Sequence, residues 1–156
     1  MSTSDIIQII LIFLTILGLF FSYYYNNKQL NLFTTQLKLN FFNEYTKRYQ
    51  EIILNFPENI NSENFDFNQL TKSERNKTLR YMRAYFDLCS EEYNLHKREL
   101  IDDEIWKNWE AGIRFAFTKK AFKDGWKIIQ TDTIYYDDFY YWVENEILNN
   151  EKEKSS

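Results

Sequence analysis

The stretch Ile6 to Tyr25 (IIQIILIFLTILGLFFSYYY) constrains this chain more than any other. A helix rises about 1.5 Å per residue and the hydrocarbon core of a bilayer is about 30 Å thick, so a span needs roughly 20 apolar residues. The run meets that length without a single charge, and Gln8 and Thr15 are its only clearly polar interruptions before Ser22. Ile6, Leu11, Leu14, Leu17, Phe20 and Tyr23 mark the anchor, and Tyr23, Tyr24 and Tyr25 stand where an aromatic belt meets water. Two other readings compete. A cleaved signal peptide would carry a basic flank and a small-residue cleavage site, and neither is present. A buried core helix would need a body able to enclose it. The anchor reading assigns residues 1–25 to a transmembrane segment.

Orientation follows from the flanks. Asp5 precedes the run with no Lys or Arg, whereas Lys28, Lys38, Lys47 and Arg48 follow it. Basic residues stay inside, which places the N-terminus outside and the body in the cytoplasm, as a single-pass protein of the inner (cytoplasmic) membrane. Cys89 is the sole cysteine, which rules out an intrachain disulfide and suits a reducing compartment. The overall charge of −4 is unevenly spread. Residues 26–56 carry +2 and residues 131–156 carry −5. A basic segment beside the membrane is favoured by anionic lipid. The chain lacks the strongly basic footprint of a nucleic-acid binder, so no nucleic-acid partner is expected.

Only three glycines and one proline punctuate the chain, and 19% of its residues are aromatic. That composition predicts long helices around a bulky core. Residues 26–149 read as a helical cytoplasmic domain of about five antiparallel helices, and residues 150–156 as a disordered tail. Leu30, Phe33, Leu37, Phe41, Tyr45, Tyr49, Ile52 and Phe56 recur at helical spacing until Pro57 stops them, and continuity of this helix with the anchor is left open. An Asn-rich loop over 57–70 is pinned by Phe65 and Phe67. Thr71 and Glu74 form a capping box opening a helix to about Glu99. On it Leu79, Met82, Phe86, Cys89, Tyr93, His96 and Leu100 form a heptad seam. Asp102 is the N-cap of the next helix, whose inner face is Trp106, Trp109, Ile113 and Phe117. A shorter helix carries Ala121, Phe122, Trp126 and Ile129. After a break at 131–133, a last helix from Tyr135 to about Asn149 turns Phe139, Trp142, Val143 and Ile147 inward.

One polar cluster departs from this pattern. On a helical wheel, Glu92 falls in the apolar arc, with His96 one turn on. Arg48 falls among the apolar residues of its own helix, with Glu44 one turn back. An acid buried without a partner is costly. The reading is therefore an Arg48–Glu92 pair across the helix interface, closed by His96, with a register-fixing role ahead of a ligand or catalytic one. If buried, that pair makes Arg48→Ala cost roughly 3–5 kcal/mol. Asp87 and Glu91, with Arg83, read as a solvated ladder on the polar face. No residue is assigned to catalysis. One histidine cannot supply the paired Glu-x-x-His motifs of a di-metal bundle, so neither metal nor cofactor is expected. Gly112 and Gly125, beside Trp109 and Trp126, read as points of close helix approach.

The words FFNEYTKRYQEI (Phe41 to Ile52) and YFDLCSEEYNL with IDDEIWKNW (within Tyr81 to Ile113) resemble a family of small bacterial single-pass, membrane-anchored helical proteins of unknown function. The resemblance covers about two thirds of the chain and implies a membrane helix followed by a helical body, without a known activity. Arg48 and Glu92 lie inside those words. A looser similarity is to membrane-anchored accessory proteins of RNA-targeting CRISPR systems, which implies anchors that oligomerise in phage defence. Some of those carry an Arg-x4-6-His motif. Here the nearest preceding arginine, Arg83, is 13 residues from His96, which argues against such a ribonuclease.

Three functional expectations result. The first is a membrane-tethered, non-enzymatic interaction module that binds a protein partner or itself. The second is an oligomerising membrane effector. The third is a hydrolase or nuclease built on Glu92, His96 and Arg48.

Overall fold

A computed structural model of the protein describes residues 2–131, 133–135 and 137–149. The expected tail, 150–156, lies outside the described residues. Those residues are all-helical, with no strand among them. Helix α1 is Thr3–Ile53, α2 is Lys72–Lys97, α3 is Asp103–Thr118, α4 is Lys120–Ile129 and α5 is Asp137–Trp142. The chain divides into two compact units, Met1–Phe41 and Phe42–Ser156.

The first unit is helical with every described side chain up to Leu37 exposed, including Ile6, Leu11, Leu14, Leu17, Phe20 and Tyr23. Its helix is long and apolar enough to cross a membrane. Thr15 satisfies its own hydroxyl, which donates to the Leu11 carbonyl at 2.8 Å. A polar side chain is thus carried in the apolar stretch without an open donor.

The second unit holds the core. Phe56, Ile60, Phe65 and Phe67 are buried, so the Asn-rich loop is fastened by its aromatics, and the Phe65 and Phe67 rings meet edge to face at 5.1 Å. A turn closes after Pro57, where the Ile60 amide donates to the Pro57 carbonyl. Helix α2 starts with the capping box: the Glu74 amide donates to Thr71 Oγ1 and the Thr71 amide to Glu74 Oε2. This satisfies two donors that the first turn would otherwise leave open.

The far end of α2 departs from the heptad reading. The Leu100 amide donates to the Leu95 carbonyl and the Glu99 amide to the His96 carbonyl, with Glu99 at φ 56°. That is a Schellman stop with a non-glycine residue in the left-handed position. The helix therefore ends at Lys97, and Leu100 lies beyond it, exposed. Asp102 stands at the N-cap of α3 without a side-chain cap hydrogen bond.

Trp126 of α4 is the hub of the core. It is fully buried, and its ring meets Phe86 of α2, Phe117 of α3 and Phe139 of α5 at centroid distances of 5.1, 5.9 and 6.0 Å. Its Nε1–H donates to Glu144 Oε1 at 2.7 Å, so the one polar atom on this ring is paired. Beside it, a Cβ on Gly125 would fall 1.8 Å from Met82 Sδ, which explains a glycine in mid-helix. At Gly112 the expectation of close approach is corrected: a Cβ there would meet nothing within 4 Å.

The last helix begins at Asp137 rather than Tyr135, and from Val143 to Leu148 it widens into a π-helix. Phe139, Trp142, Val143 and Ile147 are nevertheless its buried residues. Arg114 of α3 ties this segment down. It donates to the Glu146 carbonyl at 3.0 Å and lies 5.3 Å above the Trp142 ring.

Candidate functional site

The polar cluster is built where the end of α1 meets α2 and α3, all within the second unit. Arg48 faces α2, but its partner is Glu91 and not Glu92. Nη1 donates to Glu91 Oε2 at 2.6 Å and Nη2 to Oε1 at 3.2 Å, a two-pronged clamp. The Tyr45 hydroxyl donates to the same Oε2 at 3.2 Å, and the Arg48 guanidinium sits 5.3 Å over the Tyr45 ring. The expected Arg48–Glu92 pair is therefore corrected. Residues 91 and 92 point about 100° apart on a helix. Glu91 lies at the interface edge, where a long arginine reaches it while both groups keep water.

That edge position lowers the value of the pair. The Arg48 and Glu91 side chains are 37% and 42% exposed, so neither charge is removed from solvent. An exposed ion pair contributes about 0–1 kcal/mol, to which the two-pronged geometry and the tyrosine add modestly. We expect Arg48→Ala to cost about 1 kcal/mol, read as a small fall in the urea midpoint of the full chain in detergent. A loss of several kcal/mol would mean that the clamp is buried.

Glu91 is held below the usual carboxylate range first by the Arg48 hydrogen bonds. Tyr45 is pushed up to about 12 by burial and by the Glu91 charge it donates to.

Glu92 is in the opposite situation. It is 6% exposed, and no described residue donates a hydrogen bond to its carboxyl. Burial pushes it up to about 8, opposed by the Arg48 charge and reinforced by that of Glu91. The carboxyl is therefore an acid that holds its proton at neutral pH in the folded state.

Two other expected members stand elsewhere. His96 stacks flat on Trp106, with centroids 4.7 Å apart and planes 5° from parallel, and so does not close the cluster. Glu44 is exposed and makes no described hydrogen bond. Cys89 is buried against Glu92 and Tyr85, and burial drives its thiol well above the normal range, so it is a core residue without nucleophilic character. Among the described residues no three His, Cys, Asp or Glu side chains are grouped to hold a metal ion.

The helical wheel did not disclose the space in front of Glu92. A cavity of about 250 Å³ opens there, walled by Tyr45, Tyr49, Tyr85 and Trp109, with Gly112 at its edge. Tyr45 and Trp109 stack at 5.4 Å, and Tyr49 and Tyr85 meet at 6.4 Å. The four rings and the carboxyl come from α1, α2 and α3, and Tyr45, Tyr49, Glu92 and Trp109 each lie on a face read from sequence as apolar. The only signal that could have marked the cavity was an acid on such a stripe facing glycine rather than a bulky side chain.

Comparison of the chain with protein-family models, with curated proteins and with solved structures finds no match.

Proposed function

We propose that this protein is a single-pass, membrane-tethered helical module that binds a protein partner or a second copy of itself, with its N-terminus outside and its body, an antiparallel bundle, in the cytoplasm. The observation that carries this reading is the first unit. Its apolar helix has no part of the membrane-length window buried. Soluble monomers expose contiguous apolar patches of at most a few hundred Å², far less than some twenty large side chains present here. A bilayer removes that surface from water. Lys28, Lys38, Lys47 and Arg48 against Asp5 support the orientation. Past the tyrosines, Leu30, Phe33 and Leu37 continue as exposed apolar residues at helical spacing, which supports contact with another helix.

The resemblance to small bacterial anchored proteins fits this reading without adding an activity. A hydrolase reading has little support, since Arg48 is committed to Glu91 and His96 to Trp106.

The test is alkaline extraction of membranes from cells expressing the full chain. The protein should stay in the pellet. Leu11→Arg with Leu14→Arg should release most of it, because each arginine near mid-bilayer costs about 2.5–3.5 kcal/mol on insertion scales. Release of the unaltered chain, or recovery of a shortened product lacking the anchor, would overturn the proposal.

A further inference from the structure

The cavity in front of Glu92 has no part in membrane tethering. Its chemistry is unusual for a packing defect. Four aromatic rings line it with Thr46, Asn108 and Ile113, and among them stands one carboxyl, 6% exposed, with no hydrogen-bond donor from any described residue. A packing void gains nothing from a buried acid, which costs free energy wherever it is unpaired. Arg48, the nearest counter-charge, is held by Glu91 through both of its terminal nitrogens.

We propose that this cavity binds a small organic ammonium ion, held against the faces of the tyrosine and tryptophan rings with Glu92 as its counter-ion. Ring faces carry negative potential, and a cation within about 6 Å of them gains about 2 kcal/mol or more once desolvated. Once ionised, the carboxyl excludes anions, and it gives a neutral apolar ligand nothing to pair with. The volume is below the usual range of ligand pockets, about 300–1,000 Å³, which suits a substituted-ammonium head and not a drug-sized molecule. The Tyr45 ring is covered by the Arg48 guanidinium at 5.3 Å and stacks on Trp109, which leaves Tyr49, Tyr85 and Trp109 as the rings that meet the cation. Gly112 leaves the edge open, since a Cβ there meets nothing within 4 Å.

The charges that act on Glu92 are Arg48 and Glu91, and its own charge acts on Tyr45, Tyr49, Tyr85 and Cys89. Of these, Glu91 stays ionised and Arg48 stays charged at neutral pH, while burial keeps the tyrosines and the thiol neutral. Affinity for a cation should therefore rise with pH through the neutral range and level off above about 8, as Glu92 gives up its proton.

The test uses the full chain in dodecyl maltoside, which has no ammonium group, at a pH above 8 where Glu92 is ionised, titrated by calorimetry with choline and with tetramethylammonium. Both should bind saturably at one site per chain. The uncharged choline isostere 3,3-dimethylbutan-1-ol should bind about tenfold more weakly or worse. Glu92→Gln should weaken choline by a similar factor with its circular dichroism unchanged, and Gly112→Phe should block it. Two sources of the ammonium are separated by nanodiscs. If a lipid headgroup is the ligand, added choline binds in phosphatidylglycerol discs and is displaced in phosphatidylcholine discs; if a free amine is, it binds alike in both. Equal binding of the isostere, full affinity in folded Glu92→Gln, or no cation binding at all would overturn the proposal.

Discussion

Replacing Glu92 by glutamine should make the folded protein more stable at neutral pH, by about 2–3 kcal/mol, and should flatten its stability between pH 4.5 and 8. The sign comes from the carboxyl's position. Its ordinary value is 4.5, and burial in the fold pushes it up to about 8. Below 4.5 the acid is protonated both folded and unfolded, and its protonation then costs nothing. As pH rises through this window, the unfolded chain releases the proton while the folded chain keeps it, and stability falls by up to about 1.4 kcal/mol per pH unit. Above 8 the loss is complete. Glutamine has nearly the same shape and no charge to desolvate, so it removes this slope, although its amide must still be buried. Glu91 works in the opposite direction. Its carboxyl is held down by Arg48, so its contribution is present above the normal carboxylate range and is lost as pH falls. Urea unfolding of the full chain in detergent at several pH values checks both. Parallel curves for the two proteins would show that the Glu92 carboxyl is solvated.

Trp126→Ala should be the most damaging single substitution in the second unit, costing about 3–5 kcal/mol. This one ring touches aromatic side chains from three other helices and is fully buried, so its removal leaves a cavity that none of them can fill without moving. The lost Nε1–H also leaves Glu144 without that hydrogen bond. A domain is stable by about 5–15 kcal/mol in all, so this is a large share of the total. Trp126→Phe keeps most of the volume and should cost roughly half as much. Circular dichroism during urea unfolding measures it. A change within about 0.5 kcal/mol, the range of an ordinary surface substitution, would remove Trp126 from the centre of the core.

These two residues show what the sequence makes legible. Trp126 was readable because a short helix with Ala121, Phe122, Trp126 and Ile129 on one face can only be packed inward. Thr71 and Glu74 were readable because a capping box is local and depends on spacing alone. Glu92 stood out because its wheel position conflicts with its charge. Its relation to Arg48 was not readable, since helical phase says which way a side chain leaves its helix but not how far an arginine reaches across an interface. Adjacent acids at 91 and 92 gave two partners, and desolvation cost decided for the one at the edge. The cavity was invisible for a related reason. Tyr45, Tyr49, Tyr85 and Trp109 are spaced like core residues, and only three-dimensional packing determines whether their rings interlock or leave a gap. The π-helix from Val143 to Leu148 left no trace either, because the residues buried there are those an α-helix would bury. The stop at Lys97 carries no glycine signal, because a glutamate takes the left-handed position.

The claim on which the proposed function rests is that one helix crosses the membrane and leaves the body inside. Thiol labelling tests it directly. In a Cys89→Ser background, a cysteine at Ser2 and another at Ser73 are probed one at a time in intact cells with a maleimide that does not cross membranes. The account predicts that the Ser2→Cys chain is labelled from outside and the Ser73→Cys chain only after permeabilisation. Labelling of both in intact cells, or of neither until permeabilisation, would place the two ends of the anchor on one side and contradict it.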